Sequence, residues 1–278
     1  MTFSEIRDRL KSAGVDAPEY EATELICHFE GAGSATARFG NYNSEALTEA
    51  IDERCKGTPL QYVLGEWDFM GYTFKVSPAC LIPRADTELL CSYICESAPK
   101  GGRVADLCTG SGCIAIAALL RRPDITCVAV ELYPETLEIA RENAVRLGVS
   151  DRIELILGDA RTDILNGKFD VIASNPPYVT LSEMEELSPE VHREPRHALT
   201  DEGDGLSIIR KIIEHSPAHL KEGGSLAIEI GWKQGDSIKA ISAAHGLSCR
   251  ILKDMEGRDR VAKITQSGTE AYEIYRDT

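Results

Sequence analysis

The stretch Val104–Ala115, VADLCTGSGCIA, limits what this chain can fold into more than any other. An apolar run of strand type ends in Gly110-Ser111-Gly112, and an apolar run of helix type starts at once. Glycine lets the backbone turn tightly and approach a ligand, and the N-terminus of the following helix offers free N–H groups. The surrounding chain repeats the alternation. Arg103–Leu107, Thr126–Val130, Ile153–Leu157, Phe169–Ser174 and Ser225–Ile230 read as strands. Cys113–Leu120, Pro134–Leu147, Gly205–His215 and Ser237–His245 read as helices, as does Asp86–Ser97 ahead of them. Alternating strands and helices predict an α/β fold, a mostly parallel sheet with helices on both faces. Leu247–Leu252 and Arg260–Thr265 follow one another without a helix, which predicts an antiparallel pair at one edge.

The first 70 residues differ. Phe3, Ile6 and Leu10 recur at helical spacing ahead of Gly14, and Glu19–Phe29 and Ser44–Cys55 read as further helices. The aromatic and glycine-rich run Tyr62–Ile82, with its alternating FMGYTFKV, reads as a hairpin or linker. The expected organisation is a helical domain over 1–70, a hairpin linker over 71–84 and an α/β domain over 85–278.

Charge and cysteine content narrow the partners. The net charge is −15, and non-specific nucleic-acid binding rests on positive charge, so DNA and free RNA are not expected. The N-terminal MTFSEIRDRLK carries charges where a signal peptide needs an apolar core. No apolar run approaches the ~18 residues of a membrane span. The nine cysteines are odd in number and contain no CxxC pair, which speaks against a disulfide framework and for a reducing cytoplasm. Cys91 and Cys95 could share a helix face, but no third ligand sits nearby at metal spacing, so no metal is expected.

Gly110-x-Gly112-x-x-Ala115 fits a dinucleotide fingerprint, and Glu131 closes the next strand about 20 residues on, where an acid binds ribose hydroxyls. This loop alone leaves NAD and S-adenosylmethionine (SAM) both open. Asp106 helps decide. A carboxylate just before the loop opposes a pyrophosphate but favours the ammonium and sulfonium of SAM.

The strand FDVIAS ends in Asn175-Pro176-Pro177-Tyr178, and ligands of open α/β sheets lie beyond the carboxyl ends of strands. Two prolines fix φ and remove two donors, giving a stiff loop with free carbonyls. An Asn oxygen and a carbonyl can together accept both hydrogens of a planar NH2 group, and Tyr178 offers a flat face to stack on it. An amide nitrogen is a poor nucleophile because its lone pair is delocalised. Accepting both its hydrogens localises charge on it and stabilises the positive charge that develops as it attacks a methyl.

DLCTGSG together with SNPPYV resembles the class I SAM-dependent methyltransferases that act on amide or amine nitrogen. Pro59-Leu60-Gln61-Tyr62, Gly65, Phe69-x-Gly71 and Phe74-x-Val76 narrow the match. So do Leu81-Ile82-Pro83-Arg84-Ala85-Asp86-Thr87-Glu88, Glu194-Pro195, Glu229-Ile230-Gly231 and Gly257-Arg258-Asp259-Arg260. This set resembles the peptide chain release factor N5-glutamine methyltransferases, the PrmC/HemK family, over nearly the whole chain. The resemblance implies a Rossmann-like methyltransferase domain, a helical N-terminal domain for substrate recognition, and a linker hairpin. It implies transfer of methyl from SAM to the glutamine of the Gly-Gly-Gln loop of class-1 release factors, with S-adenosylhomocysteine as product, by a cytoplasmic monomer. Residue by residue, it implies that Cys108, Thr109, Gly110, Ser111 and Gly112 line the methionine part of SAM and Glu131 holds the ribose. Asp159 and Ala160 then flank adenine, and Asn175, Pro176, Pro177 and Tyr178 hold the glutamine amide. The Ile82-Pro83-Arg84 segment closes over the site.

Four positions depart from the family pattern; one is Ala160, where the family often has an aromatic residue beside adenine. Cys108 stands for the usual first loop glycine, Glu131 for Asp, and Ala85 for the proline of IPRPDTE. A cysteine at the loop start requires negative φ or carries strain. The rivals are a glutamine methyltransferase of ribosomal protein L3, a nucleic-acid adenine or guanine methyltransferase, an NAD-dependent oxidoreductase and a non-catalytic SAM-binding scaffold. The Asp86-Thr87-Glu88 run, the net charge, the lack of a second nucleotide-binding half and the intact Asn-Pro-Pro-Tyr weigh against them in turn.

Overall fold

The structure is a computed structural model that describes residues 1–266; the rest of the expected 85–278 domain lies outside the described residues. Helix α1 spans Phe3–Ser12, α2 Pro18–Glu30 and α3 Glu45–Cys55. Thr2 and Glu5 cap α1 reciprocally, Gly31 closes α2 with φ +65°, and the Ser44 hydroxyl accepts from Leu47 N to start α3. Phe3, Ile6 and Leu10 join Leu25, Ile26, Leu47 and Ile51 in a core of their own. Buried Arg54 binds the Glu21 carboxylate within this bundle and reaches Glu190 of the α/β domain.

The sequence placed a hairpin or linker at Tyr62–Ile82; the chain first makes a short helix, α4 (Leu60–Leu64), ended by Gly65 at φ +72°. The hairpin follows as β1 (Glu66–Phe69) and β2 (Tyr72–Lys75), with Glu66 opposite Lys75. The expected boundary at residue 70 therefore falls in the turn of this hairpin. Phe69, Met70 and Phe74 bury into the α/β domain core, so the hairpin packs with the second domain.

After a turn of 3-10 helix at Ala85–Thr87 come α5 (Glu88–Ser97), β3 (Arg103–Leu107), α6 (Cys113–Arg121), β4 (Thr126–Glu131), α7 (Pro134–Arg146) and β5 (Ile153–Leu157). Then follow β6 (Phe169–Ser174), short α8 (Leu181–Met184) and α9 (Arg196–Leu199), α10 (Ser207–His215), β7 (Leu220–Glu229), α11 (Gly235–Ala244), β8 (Leu247–Lys253) and β9 (Asp259–Gln266). Strand β7 begins five residues before its expected start because Leu220 pairs with Phe169 before a register shift.

The strands form one sheet in the order β5-β4-β3-β6-β7-β9-β8. It is parallel from β5 to β7, and β9 is antiparallel to both neighbours. The expected antiparallel edge is therefore observed. Successive strand residues bury on opposite faces. Val104, Cys127 and Val171 meet α5 and α6 on one side; Ala105, Val128 and Ile172 meet α10 on the other. Helices on both faces explain the nearly continuous apolar strands. From β3 the chain winds outward through β4 and β5, then returns to place β6 on the far side of β3. That reversal opens a crevice at the carboxyl ends of β3 and β6, where the glycine loop and the Asn-Pro-Pro-Tyr loop emerge side by side.

Candidate active site

A cavity of about 550 Å³ occupies this crevice, a size suited to a small-molecule ligand. Its floor is the glycine loop. Gly110 and Gly112 have φ of +58° and +81°, and a side chain on Gly112 would meet Ile116 at 2.8 Å and Ala140 at 3.2 Å. Thr109 N donates to Val130 O at 3.0 Å and Gly112 N to Thr109 O at 2.9 Å, closing the turn into α6. Cys108 adopts φ +61°, so the substitution of the usual glycine does carry left-handed strain, of order 1–2 kcal/mol. Its thiol lines the cavity, and burial pushes its pKa well up.

Asp106 is fully buried beneath the loop and is not among the residues lining the cavity. Thr109 Oγ1 donates to its Oδ2 at 2.6 Å, while Oδ1 lacks a partner. Burial pushes Asp106 up to about 7, against the Thr109 hydrogen bond. Ser111 Oγ is also buried without a partner. Glu131 faces the loop from β4. One oxygen accepts from Gly110 N at 2.9 Å, the other from Leu132 N at 2.9 Å and Tyr133 N at 3.1 Å. A carboxylate has about four lone-pair sites, so one remains for a ligand. Asp159 and Ala160 line the same cavity, with Asp159 held below its usual pKa by a hydrogen-bonded Arg161.

At the other end of the cavity stand Asn175 and Pro177. Asn175 Nδ2 donates to Thr87 Oγ1 at 3.3 Å. Pro176 is buried in the loop. Tyr178, expected to offer a stacking face, is half-buried against the core; its hydroxyl donates to Glu229 Oε1 at 3.1 Å, and it is not among the cavity-lining residues. Its backbone is held from elsewhere: Gln234 Nε2 donates to Tyr178 O at 3.0 Å, and Gly205 approaches the same carbonyl.

The Pro83-Arg84 segment does wall the cavity, and its anchor is visible. Buried Glu194 accepts from Ile82 N at 3.1 Å and pairs with Arg84. Thus two motifs far apart in sequence, Ile82-Pro83-Arg84 and Glu194-Pro195, form one clamp. Sequence reasoning gave no role to Thr87, Tyr133, Arg196 or His197, which also line the cavity. The Tyr133 and His197 rings stack at 3.7 Å. Of these, only Thr87 falls within a sequence motif, the run from Leu81 to Glu88. Among the described residues, no group of three or more His, Cys, Asp or Glu could hold a metal, and no helix is long and apolar enough to cross a membrane.

The Methyltransferase small domain family matches residues 85–206, and the PrmC N-terminal domain matches residues 2–65. The release factor glutamine methyltransferase of Moorella thermoacetica is 36% identical over 91% of this chain and 93% of its own. That of Cereibacter sphaeroides is 38% identical with the same coverage. The chain belongs to the release factor glutamine methyltransferase family. A methyltransferase structure from Pyrococcus furiosus, 21% identical, covers 69% of this chain and 86% of its own with a TM-score of 0.53; it shares the fold. Membership makes the chain a methyltransferase of the class I type, with the helical N-terminal domain of its family. The rival readings as an oxidoreductase or a scaffold fall with it.

Proposed function

We propose that this protein transfers a methyl group from SAM to the side-chain amide nitrogen of the glutamine in the Gly-Gly-Gln loop of class-1 release factors. The observation that carries this is Asn175 at the end of β6, lining the crevice with its Nδ2 donating to Thr87 Oγ1; we assign its carbonyl end to the substrate amide. SAM fits the other end of that crevice. Two buried polar atoms without partners support this, Ser111 Oγ in the cavity wall and Asp106 Oδ1 beneath the loop, and a carboxylate under the loop disfavours a pyrophosphate. Glu131 would hold the ribose hydroxyls, Thr109 and Ser111 the methionine end, and Asp159 and Ala160 the base. Bound there, SAM supplies an electrophilic methyl on a sulfonium.

The protein's own part is to make an amide nitrogen attack. Asn175 Oδ1 and the Pro176 carbonyl accept its two hydrogens. These acceptors gain strength as positive charge grows on nitrogen, so they favour the transition state over the ground state. The stiff diproline fixes the nitrogen in line with the methyl. The helical domain puts no residue into the cavity, whose lining starts at Ala79, and we assign it to holding the release factor. We place the enzyme in the cytoplasm, with its substrate, as a monomer.

The test is incubation with labelled SAM and a class-1 release factor, followed by peptide mapping. Label on the Gly-Gly-Gln glutamine is expected. Label confined to ribosomal protein L3 or to nucleic acid under the same conditions would overturn the substrate.

A further inference from the structure

The cavity has two banks. Tyr133 stands on the first, in the turn between β4 and α7, where its backbone N–H donates to Glu131 Oε1 at 3.1 Å. Glu131 in turn accepts from Gly110 N, so this bank is tied to the glycine loop. His197 stands on the second bank, in α9, on the chain that follows the Asn-Pro-Pro-Tyr loop. That chain is anchored at several points. Val179 N donates to Leu199 O at 2.9 Å, and Glu194 accepts from Ile82 N and pairs with Arg84. Arg193 donates to Lys56 O at 3.0 Å, the carbonyl at the end of α3, where the helix dipole favours a cation. Glu190 pairs with Arg54 of the helical domain. The two banks meet in a ring contact. Tyr133 and His197 are half-buried, both line the cavity, and their rings stack with centroids 3.7 Å apart and planes 32° from parallel. Each bank is thus fixed by hydrogen bonds on its own side, whereas the stack between them has the weight of one aromatic pair, which thermal motion breaks and remakes.

We propose that Tyr133 and His197 are positioning residues that form a latch across the cavity beside Glu131: stacked, they hold the cofactor in, and parted, they let the spent cofactor leave. This rests on the reading of the cavity as the SAM site. The latch joins the part of the fold that holds the cofactor, the glycine loop with Glu131, to the part that carries the Asn-Pro-Pro-Tyr loop and the Arg84–Glu194 clamp. Neither ring takes part in methyl transfer. Each acts through the other, because a single ring left alone has no partner on the opposite bank. The stack needs two flat faces and neither the phenol hydroxyl nor a particular imidazole nitrogen. A latch of this kind holds the ground state and the transition state equally, so its loss raises KM for SAM and leaves kcat in place.

The experiment measures S-adenosylhomocysteine binding to the full chain at pH 8, by calorimetry for Kd and by surface plasmon resonance for the dissociation rate. It compares the wild type with Tyr133→Ala, His197→Ala, the double Ala variant, Tyr133→Phe and His197→Phe. Either single Ala variant should raise Kd and the dissociation rate about fivefold, the size of one aromatic pair. The double variant should be no weaker than the weaker single one, because an interaction made by the pair is lost only once. Both Phe variants keep two faces and should bind as the wild type does. With whole release factor, KM for SAM should rise by the same factor in the Ala variants while kcat at saturating SAM holds. An unchanged Kd in the single Ala variants, losses that multiply in the double variant, or Phe variants as weak as the Ala ones would each overturn the latch. If the wild type itself binds no S-adenosylhomocysteine, the cofactor reading fails first; if it binds and the Ala variants bind equally well, only the latch fails.

Discussion

Gly205 offers a sharp test of how the Asn-Pro-Pro-Tyr loop is held. It has φ +70°, and a Cβ built there would lie 2.1 Å from Tyr178 O and 2.8 Å from Tyr178 C. Gly101 is a matched control, with φ +71° and nothing within 4 Å of the same atom. Each Gly→Ala change meets left-handed strain of about 1–2 kcal/mol, offset by about 0.4–1 kcal/mol of lost freedom in the unfolded chain. Gly101→Ala should therefore cost about 1 kcal/mol. In Gly205→Ala the Tyr178 carbonyl must also move by an ångström or more. That adds overpacking of about 1–3 kcal/mol. It also breaks the Gln234 Nε2 bonds to Tyr178 O (3.0 Å) and Gly205 O (3.3 Å), about 1–3 kcal/mol for a donor left unmade. The expected total is about 3–7 kcal/mol. Urea unfolding followed by circular dichroism measures both variants, and methylation at low denaturant reads the loop. A Gly205→Ala cost within 1 kcal/mol of Gly101→Ala would refute the claim that this backbone contact sets the loop.

Asn175→Ala should lower kcat on release factor by about 10²-fold or more, roughly 3 kcal/mol, as the loss of one transition-state acceptor; Asn175→Asp, which keeps an acceptor, should retain part of the activity in the same assay. Asp106 sits at about 7 when folded and near 3.9 when unfolded, so the native state holds its proton over that interval. Its contribution is fully present below about pH 4 and is lost as pH rises to about 7; urea unfolding at pH 4.5 and pH 8 should show Asp106→Asn losing less stability over that range than the wild type. Arg54→Met leaves the buried Glu21 carboxylate without its bidentate partner and should cost about 3–5 kcal/mol; Glu21→Gln with Arg54→Met should recover part of that loss by thermal denaturation.

Local chemistry determined much of this protein from sequence alone. Glycines that must take positive φ, strands buried on both faces and helix caps are written in consecutive residues, so the α/β alternation, the glycine loop and the position of Asn175 at a strand end were legible. At Cys108 the sequence left two outcomes open, negative φ or strain, and only the folded loop, with φ +61°, decided for strain. The hairpin's allegiance was not, since Phe69 and Phe74 could pack against either domain and only the folded core chose one. The sequence likewise could not say that the Tyr178 hydroxyl reaches Glu229: a stiff diproline fixes backbone direction, but the ring's partner comes from elsewhere in the chain. The Arg84–Glu194 clamp and the Thr87–Asn175 contact join residues 110 and 88 positions apart. Such pairs leave no periodic trace, because what brings them together is the reversal of strand order at β3 and β6.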